Sequence, residues 1–85
     1  ELGDNLGAVE DFNEALLINP GYAAAYNNRG NARRESGDAR GAIADYNRAL
    51  RISPKDAEIY NNRGRAHYSL GKMQAAINDY NQALQ

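Results

Sequence analysis

The sequence contains no cysteine and no tryptophan, and its 85 residues include only two prolines, one phenylalanine, one methionine and one histidine. Without cysteine there is no disulfide framework, no thiolate nucleophile and no cysteine-ligated zinc. No apolar run approaches the roughly 20 residues that a membrane helix needs, and no charged start followed by an apolar stretch marks a signal peptide. Neither sign of charge dominates, because 10 basic and 11 acidic groups sum to -1. Shares of 42% hydrophobic and 25% charged residues are ordinary for a globular chain, which argues against disorder, collagen and low complexity. A single domain of this size buries only about two-thirds of its unfolded surface.

Catalytic patterns are missing as well. His67 is the one histidine and has no neighbouring set of metal ligands, so it is expected to be a packed or half-exposed helix residue. Ser36, Ser53 and Ser69 fall at expected helix ends, with no base and orienting group beside them. Paired acids such as Glu10 and Asp11 suit a solvated face. The glycines are spread along the chain rather than clustered into a phosphate loop. No enzymatic activity, cofactor or metal is expected.

What the chain does have is a repeat. Shifted by 34 positions, residues 1–51 align with residues 35–85 and give 26 identities, where this composition would give about four or five by chance. Gly3, Gly37 and Gly71 recur in step, as do Ala8, Ala42 and Ala76, and Asp11, Asp45 and Asp79. Asn13, Asn47 and Asn81, and Ala15, Ala49 and Ala83, follow the same period. The segment Tyr26-Asn27-Asn28-Arg29-Gly30 with Ala32 returns as Tyr60-Asn61-Asn62-Arg63-Gly64 with Ala66.

Within one period, Ala42, Ile43, Tyr46, Ala49 and Leu50 form the stripe of an amphipathic helix. Gly37 followed by Asp38 reads as a helix stop and a new N-cap; Gly3-Asp4 repeats that signal, and Gly71-Lys72 keeps only the stop. Pro20 and Pro54 end the other helices, and Asp56 caps the next one. The expected elements are helices at 5–18, 23–36, 39–52, 57–70 and 73–84, with no strand.

At this point the chain resembles the tetratricopeptide repeat (TPR) family. The resemblance rests on Tyr26, Gly30, Ala42, Tyr46 and Pro54, then Tyr60, Gly64, Ala76 and Tyr80, all at a period of 34. It implies an all-α, right-handed superhelical solenoid of antiparallel helix pairs, here with five helices. Residues 1–22 would be the second helix of a truncated unit, 23–56 a complete unit, and 57–85 a unit lacking its C-terminal end. Together they would make one domain fragment cut from a longer array. Arg29 and Arg63 stand where the family usually has leucine, and Arg33 and His67 where it often has tyrosine. A partly buried arginine requires an acid. Arg29 is therefore expected to pair with Asp11 or Asp45, and Arg63 with Asp45 or Asp79, in an alternating ladder of three carboxylates and two guanidiniums.

Stacked pairs leave an extended curved surface suited to binding. In the family the first helix of each pair lines the concave face, which commonly holds a peptide or partner helix. Here that face would comprise Asn27, Asn28, Asn31, Arg34 and Glu35 from one helix, and Asn61, Asn62, Arg65, Tyr68 and Ser69 from the next. The four asparagines Asn27, Asn28, Asn61 and Asn62 repeat unchanged, which equally suits scaffold geometry. The positions that differ between units suit specificity: Asn31 against Arg65, Arg34 against Tyr68, and Glu35 against Ser69. Asn31 and Asn62 match the asparagines of family members that grip the carboxylate end of heat-shock chaperones, but Asn27 replaces their first lysine and the third repeat is absent.

The expected partner is a protein or peptide, with no membrane. Residues 1–22 carry five acidic groups and no base, and residues 23–85 carry all ten basic and six acidic groups, from -5 to +4. Nucleic acid is the rival partner, but the arginines spread over both helices of each pair without a strong overall basic excess. A structural spacer is a further alternative. Self-association through uncapped ends is also expected, because open solenoid ends expose apolar surface. No compartment signal is readable, and the cytoplasm is the favoured setting.

Overall fold

The protein, seen in a computed structural model that describes residues 2–85 and side chains from Asn5 onward, is built from five helices. These are α1 (Leu2–Ile18), α2 (Ala23–Glu35), α3 (Ala39–Ile52), α4 (Ala57–Ser69) and α5 (Met73–Ala83), with no strand among the described residues. From α2 onward each helix starts at the expected residue and ends within one residue of the expected stop.

The turns explain that agreement. Gly37 and Gly71 adopt φ of +96° and +76°, left-handed values that other residues rarely take. After α2, Asp38 N–H donates to the Arg33 carbonyl at 2.8 Å and Gly37 N–H to that of Arg34 at 3.1 Å. Lys72 and Gly71 close α4 in the same way on His67 and Tyr68, both at 2.9 Å. Asp38 then caps α3 by accepting from Gly41 N–H at 2.8 Å, and Asp56 caps α4 by accepting from Glu58 N–H at 3.0 Å. Lys72 offers α5 no such bond.

The start of α1 differs from expectation. Gly3 and Asp4 lie inside the helix, which begins at Leu2, instead of forming a stop and a cap. Glycine takes right-handed dihedrals as readily as left-handed ones, so Gly3 continues the helix. The Asp4 side chain and residue 1 lie outside the described residues.

Each helix packs on the next, and beyond these neighbours, among the described residues, only α2 and α4 touch. The alternate row of α1, α3 and α5 does not close up, so the stack is tighter along α2 and α4 and curves toward them. The body is a thin slab of 33 × 26 × 14 Å. Its core is the anticipated stripe of α3, in which Ala42, Tyr46 and Ala49 are fully buried, joined by Ile59 and Ala66 of α4 and by Leu16 and Ala25.

So thin a core depends on close helix approach. A Cβ placed on Gly30 would lie 2.6 Å from Tyr46 Cε1, and one on Gly64 would lie 2.7 Å from Tyr80 Cε1. Each glycine therefore makes the floor on which the tyrosine ring of the following helix lies. Gly7 differs, since nothing stands within 4 Å of its added Cβ. Gly30→Leu is expected to lose about 2–3 kcal/mol by overpacking, whereas Gly7→Ala gains about 1 kcal/mol of helix propensity. Urea unfolding checks both, and an unchanged midpoint for Gly30→Leu contradicts the packing role.

Candidate functional site

Polar side chains on α2 and α4 divide into those that hold helices together and those left to solvent. Arg29 belongs to the first group. Its Nε and Nη2 donate to Asp45 Oδ2 and Oδ1 on α3 at 3.0 and 2.6 Å, while Nη1 donates to Asn13 Oδ1 on α1 at 2.7 Å. Arg63 repeats the arrangement, with Nε and Nη2 on Asp79 of α5 at 2.9 and 2.7 Å and Nη1 on Asn47 of α3 at 2.9 Å. Asp45 is only 1% exposed and also accepts from Arg33 Nη1 at 3.0 Å. The hydrogen bonds to Asp45 and Asp79 raise the pKa of Arg29 and Arg63 above the ordinary arginine value, so both stay charged.

Each arginine thus takes the acid of the following helix, and the expected alternating ladder of carboxylates does not form. A guanidinium fork satisfies one carboxylate through two parallel bonds from Nε and Nη2, and an N–H on Nη1 then needs only a neutral acceptor. Asn13 and Asn47 supply that acceptor. Asp11 is exposed, and among the described residues no guanidinium reaches it. The threefold recurrence of Asn13, Asn47 and Asn81 is the sequence signal that marks this missed role.

The asparagine pairs separate in the same manner. Asn62 Nδ2 donates to Asn27 Oδ1 at 3.0 Å in the buried seam between α4 and α2, whereas Asn28 and Asn61 are exposed. Two of the ten expected binding residues are therefore turned to each other. On α2, Asn31 and Arg34 are half-buried around the Tyr46 hydroxyl, which donates to Asn31 Oδ1 at 2.5 Å and accepts from Arg34 Nε at 3.3 Å. Burial pushes the Tyr46 pKa up, which keeps the hydroxyl neutral and able to donate.

The rest of the expected face is open. Glu35, Arg65, Tyr68 and Ser69 are exposed, and Tyr68 retains 61% of its surface. Ser69 Oγ donates to the Ala66 carbonyl at 2.9 Å; Arg65 and Tyr68 make no side-chain hydrogen bond among the described residues. Two repeat-related clefts lie elsewhere. One of about 370 Å³ is lined by Pro54, Lys55, Tyr60, Gln82 and Gln85, and one of about 170 Å³ by Pro20, Tyr26, Arg48, Arg51 and Ile52. Neither includes any of the ten expected residues.

His67 takes the repeat position of Arg33 but not its role. Its Nε2 lies 3.8 Å from Asp79 Oδ2, and its Nδ1 is buried without a partner. Burial lowers the His67 pKa by more than Asp79 raises it, so the ring is neutral at pH 7 and leaves Asp79 to Arg63. Among the described residues no group of acidic and histidine side chains could hold a metal ion, and no helix is long and apolar enough to cross a membrane.

A family model described as TPR repeat matches residues 30–71. Two solved structures, titled "Crystal structure of MamA" and "Crystal structure of MamA protein", resemble the chain with TM-scores of 0.90 and 0.89 and 26% sequence identity each. They match over 95% and 94% of this chain, which spans 47% and 44% of theirs. No curated protein matches the chain.

Replacing Asp45 by Asn leaves two guanidiniums around a neutral amide and is expected to cost about 3 kcal/mol, against less than about 0.5 kcal/mol for Asp11→Asn on the surface. Urea unfolding of the two variants compares them directly. His67 supplies a pH dependence. Because the folded pKa lies below the unfolded value of about 6.5, the unfolded state binds more protons in that interval, and stability falls as pH drops through it. In His67→Arg, Asp79 gains a second guanidinium, and the change in urea midpoint between about pH 7.5 and 5.5 should be smaller than in the parent.

Proposed function

From the match to a TPR repeat model over residues 30–71 and the helical-repeat fold shared with the two solved structures, we propose that the chain is an interaction module that holds a peptide or partner helix on the concave side made by α2 and α4. In this reading α1 is the second helix of one unit, residues 23–56 are a whole unit, and residues 57–85 are most of another. No catalysis forms part of it.

The observation that carries the reading is the pair Arg65 and Tyr68, whose side chains are exposed and make no hydrogen bond among the described residues. They share one side of α4 with Asn61, at i, i+4 and i+7. On α2 the neighbouring groups are Asn28, Asn31, Arg34 and Glu35, with Ser69 completing the α4 side. Asn27 and Asn62 set the spacing of the two helices in place of meeting a ligand. The fork of Arg65 suits a carboxylate, and the Tyr68 ring offers an apolar body with a polar tip. A segment carrying an acidic group beside an apolar side chain fits this combination.

The double variant Arg65→Ala, Tyr68→Ala removes only exposed groups and is expected to keep the parent's circular dichroism. In pull-downs from native lysate, a protein captured by the parent should be lost by this variant, and titration of that purified protein should show at least a tenfold weaker affinity. Equal capture by both favours a structural spacer. Capture of RNA, with an affinity that falls steeply as salt rises, favours the nucleic-acid reading.

A further inference from the structure

Of the two repeat-related clefts, the one between α2 and α3 carries chemistry that neither the packing nor the concave side uses. Pro20 of the α1–α2 turn, Tyr26 of α2, and Arg48, Arg51 and Ile52 of α3 line its volume of about 170 Å³. It lies away from both ends of the chain, and none of the residues assigned to the concave side borders it.

The repeat supplies an internal comparison. Pro20 and Tyr26 return one period later as Pro54 and Tyr60 in the other cleft, but Arg48 and Arg51 return as Gln82 and Gln85. One period earlier the same positions are Glu14 and Leu17. The packing of a unit therefore does not demand the arginine pair. The tyrosines differ too. The Tyr60 hydroxyl donates to the Pro54 carbonyl at 3.0 Å, whereas the Tyr26 hydroxyl makes no hydrogen bond among the described residues.

Arg48 and Arg51 stand at i and i+3 on one side of α3, where like charges repel. Arg29 and Arg33 have Asp45, and Arg63 has Asp79. Among the described residues no carboxylate lies within ion-pair distance of Arg48 or Arg51. Arg48 is nonetheless held in place, with its Cζ 5.9 Å from the centre of the Tyr26 ring. The helix dipole favours Arg51 in the last turn of α3. That effect is the same on every side of the helix and does not account for two arginines on the cleft.

We infer that this cleft binds a phosphate monoester, with Arg48 and Arg51 donating to the phosphoryl oxygens and the Tyr26 hydroxyl supplying a third donor. One guanidinium fork satisfies a carboxylate, whereas the three oxygens of a phosphoryl group and its charge of about -2 at neutral pH suit two. Pro20 and Ile52 give an apolar rim to the carbon that bears the ester. This site is separate from the concave side and does not depend on it.

The test follows backbone amide and arginine Nε–H signals of the whole 85-residue chain during titration with a capped glycyl-phosphoseryl-glycine peptide at constant ionic strength. Saturable binding is expected, with the largest shift changes at Arg48, Arg51 and Tyr26. The double variant Arg48→Gln, Arg51→Gln installs the pair that already lines the other cleft, so it should keep the parent's circular dichroism and bind at least tenfold more weakly. Tyr26→Phe removes the third donor alone and should weaken binding severalfold. Two further arms use inorganic phosphate and the same peptide with aspartate in place of phosphoserine. Inorganic phosphate bound as tightly as the phosphopeptide supports the site with free phosphate as its ligand, and tighter binding of the phosphopeptide supports it with a phosphorylated chain. An aspartate peptide that binds equally well overturns the proposal. So do shifts no larger at Arg48 and Arg51 than at Arg40 and Arg65, and the absence of saturation at tens of millimolar phosphopeptide.

Discussion

On each of α2 and α4 one guanidinium ties three successive helices together. Arg29 spans Asn13, itself and Asp45; Arg63 spans Asn47, itself and Asp79. A pair of antiparallel helices with small residues at its contact has little apolar area, and a slab 14 Å thick cannot enclose a large core. The bidentate bonds fix the rotation of each helix about its axis as well as its distance from the next. The carboxylates lie in dry surroundings, but the arginines keep part of their surface in water. This partial hydration lowers the desolvation cost that fully buried pairs incur.

With those rotations fixed, the glycine contacts follow. The Tyr46 ring lies against Gly30, and the Tyr46 hydroxyl then emerges between Asn31 and Arg34. The α2–α4 seam is set next, closed by Asn62 on Asn27. Arg65 and Tyr68 are left out of these contacts and stay exposed. In the α4–α5 pair, arginine replaces Asn31 and tyrosine replaces Arg34. The second unit thus gives up some internal bonding around its tyrosine and gains exposed chemistry.

The same economy makes the two units unequal in stability. Asp45 holds two guanidiniums, whereas Asp79 holds one guanidinium and faces a neutral imidazole. The α4–α5 pair also lacks a capping side chain at Lys72 and leaves Leu84 and Ile77 uncovered.

The helices, their turns and their period were legible in the residues, because glycine, proline and capping aspartate act through the backbone within a few positions. The close approach at Gly30 was legible for a related reason, since a glycine inside a helix has no local advantage. The arginine partners narrowed to two acids each but no further, because period alone relates a residue equally to the helix before and the helix after. Only the tertiary structure decided that Arg29 turns toward Asp45, that Asn13 takes its third bond, and that Asp11 stays in water. It also decided that Asn27 is buried while Asn61 is open, although the two are the same letter in the same place of the repeat. Sequence determined what each unit can bond. Packing determined which of those bonds a given unit makes, because that depends on whether a neighbouring helix stands beside it.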